Sequence, residues 1–195
     1  YIIGRFSNKL LTELAHSYMK KRSLPQLTSA LWAKQSAIRE NLIEWSSTEL
    51  RDFPWRDNLS EPYKILVAET VLKRTTATAA VRVYNTFLER YPELSNLLEA
   101  SEFDLDNLFA PIGLHRQRAM TLIKLASWIF CNEGGVIPSS LDSLLKIPGI
   151  GPYSSRAIRS FGFDIPEGIV DGNVARIYTR VFNFVIEISA PHSVV

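Results

Sequence analysis

Cysteine is almost absent from this 195-residue chain: Cys131 stands alone. A single cysteine excludes a disulfide within the chain and any metal cage built on cysteine ligands, and it fits a reducing, intracellular setting. Histidine is scarce as well. His16, His115 and His192 are isolated, with no metal-ligand spacing between them, so no metal site is expected from these residues. No apolar run approaches the roughly 18 residues that a membrane span requires, and no signal peptide is expected. The chain opens at Tyr1 rather than Met and stops abruptly at Val195, which leads to the expectation of a fragment. An excess of either charge is also missing: 22 Lys and Arg face 20 Asp and Glu, a formal charge of +2. That balance by itself promises no polyanionic partner.

What is present is the composition of a globular chain. Hydrophobic residues make up 46% and charged residues 22%, too apolar for disorder. The length suits one large domain or two small interleaved ones. Charge is placed unevenly. Residues 1–56 carry nine basic against five acidic side chains, 57–140 carry eight against ten, and 141–195 carry five against five. Any anionic ligand must therefore be gripped locally.

The chain reads as all-α. Ile2, Phe6, Leu10, Leu14 and Tyr18, with Ile3 and Leu11 alongside, recur at three- and four-residue steps and outline an amphipathic helix. It ends in Lys20-Lys21-Arg22, favourable at the negative end of a helix dipole. A second helix, about 28–46, places Leu31, Ala37, Ile38 and Leu42 on an inward face. Phe53-Pro54-Trp55-Arg56 reads as a rigid apolar turn. Shorter helices are expected near 62–73, 75–90, 94–99, 102–109, 115–132, 141–147, 153–162 and 172–184. Pro- and Gly-rich turns separate them. The only candidate for a strand is the apolar segment after 182.

Three features carry chemistry. In Ile147-Pro148-Gly149-Ile150-Gly151-Pro152-Tyr153, two glycines one residue apart permit backbone angles that other residues resist. They also let main-chain N–H groups approach a phosphate beside the start of a helix. The same residues would serve a plain packing corner between helices. Asp171, in Gly168-Ile169-Val170-Asp171-Gly172-Asn173-Val174, precedes a helical pattern and is placed as an N-cap, a position that also holds a carboxylate in the fixed geometry a catalytic group needs. Glu69 lies among Ile65, Leu66, Val67, Ala68 and Leu72. Burial there would raise its pKa and suit it to act as an acid; the alternative is an i, i+4 pair with Lys73. Two carboxylates in different settings suit cleavage of an N-glycosidic bond, one stabilising positive charge on the sugar or steering water, the other assisting the leaving base.

In the order of these motifs the chain resembles the helix-hairpin-helix DNA glycosylases, a superfamily that includes endonuclease III. The resemblance covers about residues 36–184. It runs through Phe53-Pro54-Trp55-Arg56, Pro62-Tyr63 with Glu69-Thr70-Val71-Leu72, Ile112-Gly113-Leu114, Gly134-Gly135, Pro138, Ile147-Pro148-Gly149-Ile150-Gly151 and Val170-Asp171-Gly172-Asn173-Val174. It implies a six-helix barrel lobe over 62–165, carrying the hairpin 148–153, and a second lobe from both termini. That second lobe takes 31–61 and 166–195, with 1–30 as an added N-terminal helical extension. It further implies double-stranded DNA with a mismatched or damaged base as partner, the target base flipped out, a monomer, and a setting in the cytoplasm or nucleoid, or in a eukaryotic nucleus.

The family's catalytic aspartate falls on Asp171. Bifunctional members follow the hairpin with a lysine that forms a Schiff base with the sugar; here that position is Tyr153, which cannot form the imine, so a monofunctional enzyme that uses water is expected. Within the monofunctional members, Leu72-Lys73-Arg74-Thr75-Thr76, the stretch Gly113 to Ala119 and Tyr153 are closer to the thymine-mismatch branch (Mig type). Asp171-Gly172-Asn173-Val174 is closer to the adenine-mismatch branch (MutY type). Thymine or uracil opposite guanine is the expected target. The alternatives are adenine opposite 8-oxoguanine, or a binding module that has lost its chemistry. Arg74 and Thr75 would enter the space left by the flipped base, Leu114 and His115 would face the orphan base, Gly149, Ile150 and Gly151 would hold a phosphate, and Asn173 joins the DNA-contacting set. One departure stands out. Relatives usually carry four cysteines after the catalytic helix for a [4Fe–4S] cluster; Cys131 lies upstream and cannot replace them. No cofactor is expected within this chain, and a cluster only if a segment beyond Val195 exists.

Overall fold

The computed structural model describes residues 29–182, with side chains over 36–181. The helix expected from Ile2 to Tyr18 and the candidate strand after 182 lie outside the described residues. Within them the elements run α1 (Ser29–Thr48), α2 (Pro54–Asp57), α3 (Pro62–Val71), α4 (Ala77–Arg90), a 3-10 turn (Leu94–Leu98), α5 (Glu102–Phe109), a second 3-10 turn (Ala110–Ile112), α6 (His115–Glu133), α7 (Leu141–Lys146), α8 (Pro152–Ala157) with a π-turn (Ile158–Gly162), and α9 (Gly172–Phe182). No strand occurs among the described residues.

The chain divides into two compact units, Phe53–Glu167 and, together, Tyr1–Asp52 with Gly168–Val195. The first has a continuous apolar core. α3 is sealed over seven consecutive residues, Ile65 to Val71, and so is a helix buried all round rather than on one stripe. Its start is set by Pro62, whose fixed φ suits the first helical position. α4 starts where the Thr76 hydroxyl accepts the Ala79 N–H at 3.3 Å, and it buries Ala80, Val83, Tyr84 and Phe87 at the spacing of one helical face. Phe87 stacks on Phe109 of α5 with ring centroids 5.6 Å apart. The π-turn comes close enough to α3 that a Cβ on Gly162 would lie 2.8 Å from Pro62 Cα; only glycine fits there.

The rigid apolar turn expected at Phe53-Pro54-Trp55-Arg56 takes the form of a short helix, Pro54–Asp57. Phe53 stacks on Trp55 at 4.9 Å, and the fully buried Trp55 meets Tyr84 edge-on at 5.5 Å, so proline opens the turn and ring packing closes it. The helix expected over 153–162 changes to a π-turn at Ile158. In α1, Ala37 is exposed and Leu42 is 44% exposed rather than inward: periodicity marks the face a helix can bury, not whether another segment covers it.

Candidate active site

The hairpin between α7 and α8 is a local construction. Ser140 caps α7 by accepting the Ser143 N–H at 3.1 Å. The Ile147 and Ile150 side chains are buried, and the Ile150 N–H donates to the Ile147 carbonyl at 3.1 Å, so this amide closes the turn. Gly149 has φ +84°, and a Cβ there would lie 2.3 Å from Thr121 Cγ2 on α6. Its carbonyl accepts from the Lys73 ammonium at 3.1 Å. Gly151 precedes α8, its carbonyl taking the Ser155 N–H at 2.9 Å, and Tyr153, half-buried, lies in the first turn of α8.

Glu69 is buried, at 7% exposure, within α3. Its negative charge favours the charged form of Lys73 one turn further on. Desolvation lowers the Lys73 ammonium below its usual range; Glu69 opposes that and Arg118 adds to it. Lys73 as a whole residue is exposed, so solvent limits the effect.

Arg74 and Leu114 stand at two loop tips. Both are exposed, and both have left-handed backbones, φ 52° and φ 50°, a conformation that costs a side-chain-bearing residue about 1–2 kcal/mol and that gathers at functional sites. Thr75, half-buried, follows Arg74. His115 opens α6, and its Nδ1 meets Asp106 Oδ1 at 2.6 Å. Asp106 thereby holds the ring through Nδ1 and sets its orientation.

Sequence reasoning missed Asp106 and, more consequentially, Arg118. Arg118 is 3% exposed. Its Nε donates to Thr70 O at 3.1 Å and its Nη1 to Ile112 O at 3.0 Å; Nη1 also reaches Gly113 O, and Nη2 reaches Lys73 O. Burial pulls its guanidinium below the usual range. The signal was there: Arg118 falls in line with Leu122, Leu125 and Ile129, all buried on α6, at spacings of four, three and four residues.

In the other unit, Asp171 stands just before α9. Oδ1 accepts the N–H of Asn173 at 3.0 Å and of Val174 at 2.8 Å, and Oδ2 accepts Asn173 Nδ2 at 3.0 Å. The residue is the N-cap that sequence suggested. A carboxylate offers about four lone-pair sites, and these three bonds leave one for water or for developing charge. Asn173 is itself engaged at both ends of its amide, since its Oδ1 accepts from Arg176 Nη2. The residues present do not fit an iron–sulfur cluster, which takes four thiolates, because Cys131 is single and exposed. Among the described residues there is no group of three or more His, Cys, Asp or Glu able to hold a metal ion, and no helix is long and apolar enough to cross a membrane.

A Gly-rich hairpin and a buried glutamate in one helical unit, and an aspartate at a helix start in the other, are the features of the helix-hairpin-helix class. The family model for HhH-GPD superfamily base excision DNA repair proteins matches residues 67–187, and the chain belongs to that superfamily. It is 40% identical over 158 residues to a thymine-DNA glycosylase of Aeropyrum pernix, covering 80% of this chain and 70% of the relative. It is 32% identical to an adenine DNA glycosylase of Rattus norvegicus over 76% of this chain but only 30% of that protein. A solved structure of a thermostable thymine-DNA glycosylase superposes with a TM-score of 0.74 at 29% identity, covering 80% of this chain and 74% of the other.

Proposed function

We propose that this chain is a monofunctional DNA glycosylase that flips a mispaired thymine or uracil, opposite guanine, out of the duplex and hydrolyses its N-glycosidic bond. The observation that carries this reading is the 40% identity to a thymine-DNA glycosylase over most of both chains. Adenine opposite 8-oxoguanine is the second reading, supported by a relative of which the chain covers a smaller share.

In the reaction the bond from C1′ to the base nitrogen breaks, its electron pair leaves with the base, and positive charge spreads over C1′ and the ring oxygen. Asp171 is the group that meets this charge. Two backbone N–H groups fix its Oδ1, and the remaining lone pair serves the sugar or orients the water that adds to C1′. Glu69, buried within α3, assists the departing base. Tyr153 lines the pocket and, lacking an amine, forms no Schiff base with the abasic sugar. Gly149 and Gly151 hold a phosphate, while the N–H of Ile150, expected to join them, is kept within the turn by the Ile147 carbonyl. Arg74 and Thr75 fill the place of the flipped base, Leu114 and His115 meet the orphan guanine, and Asn173 contacts DNA as well as Asp171. Phosphate contacts of this kind position the duplex without reading its sequence, which lets a chain of formal charge +2 work on DNA.

Duplexes carrying T·G, U·G and adenine opposite 8-oxoguanine, each labelled on one strand and treated with hot alkali after incubation, test the proposal. Alkali-labile sites at T or U are expected. Breakage only at adenine would reverse the choice of base, strand cutting before alkali would overturn the monofunctional assignment, and binding without release of any base would leave a DNA-binding module.

A further inference from the structure

Arg118 is a buried cation that ends on main-chain oxygens: Thr70 and Lys73 at the end of α3, Ile112 and Gly113 in the loop before α6. Two of these carbonyls precede the left-handed residues of this region, Lys73 before Arg74 and Gly113 before Leu114. A peptide unit is planar and rigid, so a carbonyl held at residue i also holds the N–H of residue i+1 and restrains its φ. The same guanidinium therefore restrains both strained tips. The backbone N–H of Arg118 adds to this by donating to the Leu114 carbonyl at 2.9 Å. The knot extends to the hairpin. The Lys73 carbonyl accepts from Arg118 and its ammonium donates to Gly149 O, while Thr121, three residues beyond Arg118, abuts Gly149. A planar fork with five N–H donors can span four carbonyls on two segments; a lysine ammonium, with three donors at one point, cannot.

We propose that Arg118 is a positioning residue for base excision: by holding the peptide units before Arg74 and Leu114, it sets both loops in the conformation that replaces the flipped base and meets its orphan partner. This rests on the reading of the chain as a glycosylase, but the conformational half stands without it.

The test uses R118K and R118Q in the full chain. Amide hydrogen exchange in the DNA-free protein is expected to quicken together in peptides covering 72–75 and 112–115, with peptides over α4 and the later turns of α6 unchanged. Affinity for a duplex with guanine opposite a tetrahydrofuran abasic analogue should weaken by about tenfold in both variants, while affinity for the same duplex with a G·C pair holds, because only the opened site engages the tips. Single-turnover base release should fall in step with the lost preference. Quickening in neither loop, or in one alone, would overturn the proposal. So would loosened loops with preference and release intact, or failure of both variants to fold, which would make Arg118 a core residue only. If the unaltered protein neither prefers the abasic duplex nor releases a base, the glycosylase reading fails, and the exchange result still decides whether Arg118 holds the loops.

Discussion

The Lys73 ammonium donates to the Gly149 carbonyl at 3.1 Å and so ties the end of α3 to a hairpin 76 residues further along the chain. Both groups lie near solvent, and water can replace either partner. K73M is therefore expected to lower stability by no more than about 1 kcal/mol while quickening amide exchange across 148–151. Denaturant melts and exchange mass spectrometry on one preparation check both halves.

Gly149 is far less tolerant. An alanine there meets an unfavourable φ of +84° and a contact of 2.3 Å with Thr121 Cγ2. G149A should cost about 2–4 kcal/mol, combining left-handed strain with overpacking. T121S removes the offending methyl and should restore the packing part in the double variant without touching the strain. Thermal melts of the three variants would show strict additivity if the methyl contact were irrelevant.

At Asp171, capping and chemistry separate by substitution. Asparagine keeps an oxygen for the Asn173 and Val174 N–H groups, whereas alanine does not. D171N should melt close to the unaltered protein and D171A about 1 kcal/mol lower, yet both should release no base while still binding duplex. Normal excision by D171N would remove Asp171 from the reaction.

For Glu69, E69Q preserves size and hydrogen-bonding capacity but not the proton. Single-turnover excision is expected to slow by about 10²-fold or more, and the limb of the pH–rate profile that belongs to Glu69 should vanish. The same change removes the negative charge that supports the Lys73 ammonium, so the Lys73 pKa should drop further below its usual range. An unchanged rate and profile would refute the assignment.

Alkali should unfold this protein through its phenols. Burial pushes Tyr84 up to about 12, against the opposing hydrogen bond from Asn58, and it raises Tyr63, Tyr91 and Tyr178 as well. A phenol raised in the fold keeps a proton that the unfolded chain gives up at about 10. Its contribution is thus complete below that pH and lost as the pH climbs through the folded value. Denaturant midpoints should hold up to about pH 10 and then fall, more shallowly for Y84F.

How much of this was legible beforehand differs from residue to residue. Helix α5 falls on the expected 102–109, and the hairpin, the Asp171 cap and the burial of Glu69 follow from neighbours within a few positions. These are local effects: glycine at a positive φ, a carboxylate before a helix, a glutamate amid apolar residues. Arg118 was hidden because main-chain carbonyls leave no mark in a sequence. Any residue can supply one, and those it binds include partners 45 and 48 positions away. Beside Arg116 it reads as one more solvated cation, and only its alignment with Leu122 and Leu125 hints otherwise.

The sequence by itself determined most helices among the described residues and the residue types available for chemistry, since helix propensity, proline, glycine and capping act over a few residues. Tertiary structure alone decided that one guanidinium would hold two strained loops and that Lys73 would join them to the hairpin. The reason is physical: a buried charge must find acceptors wherever the fold brings them, and only the packed chain sets which carbonyls those are.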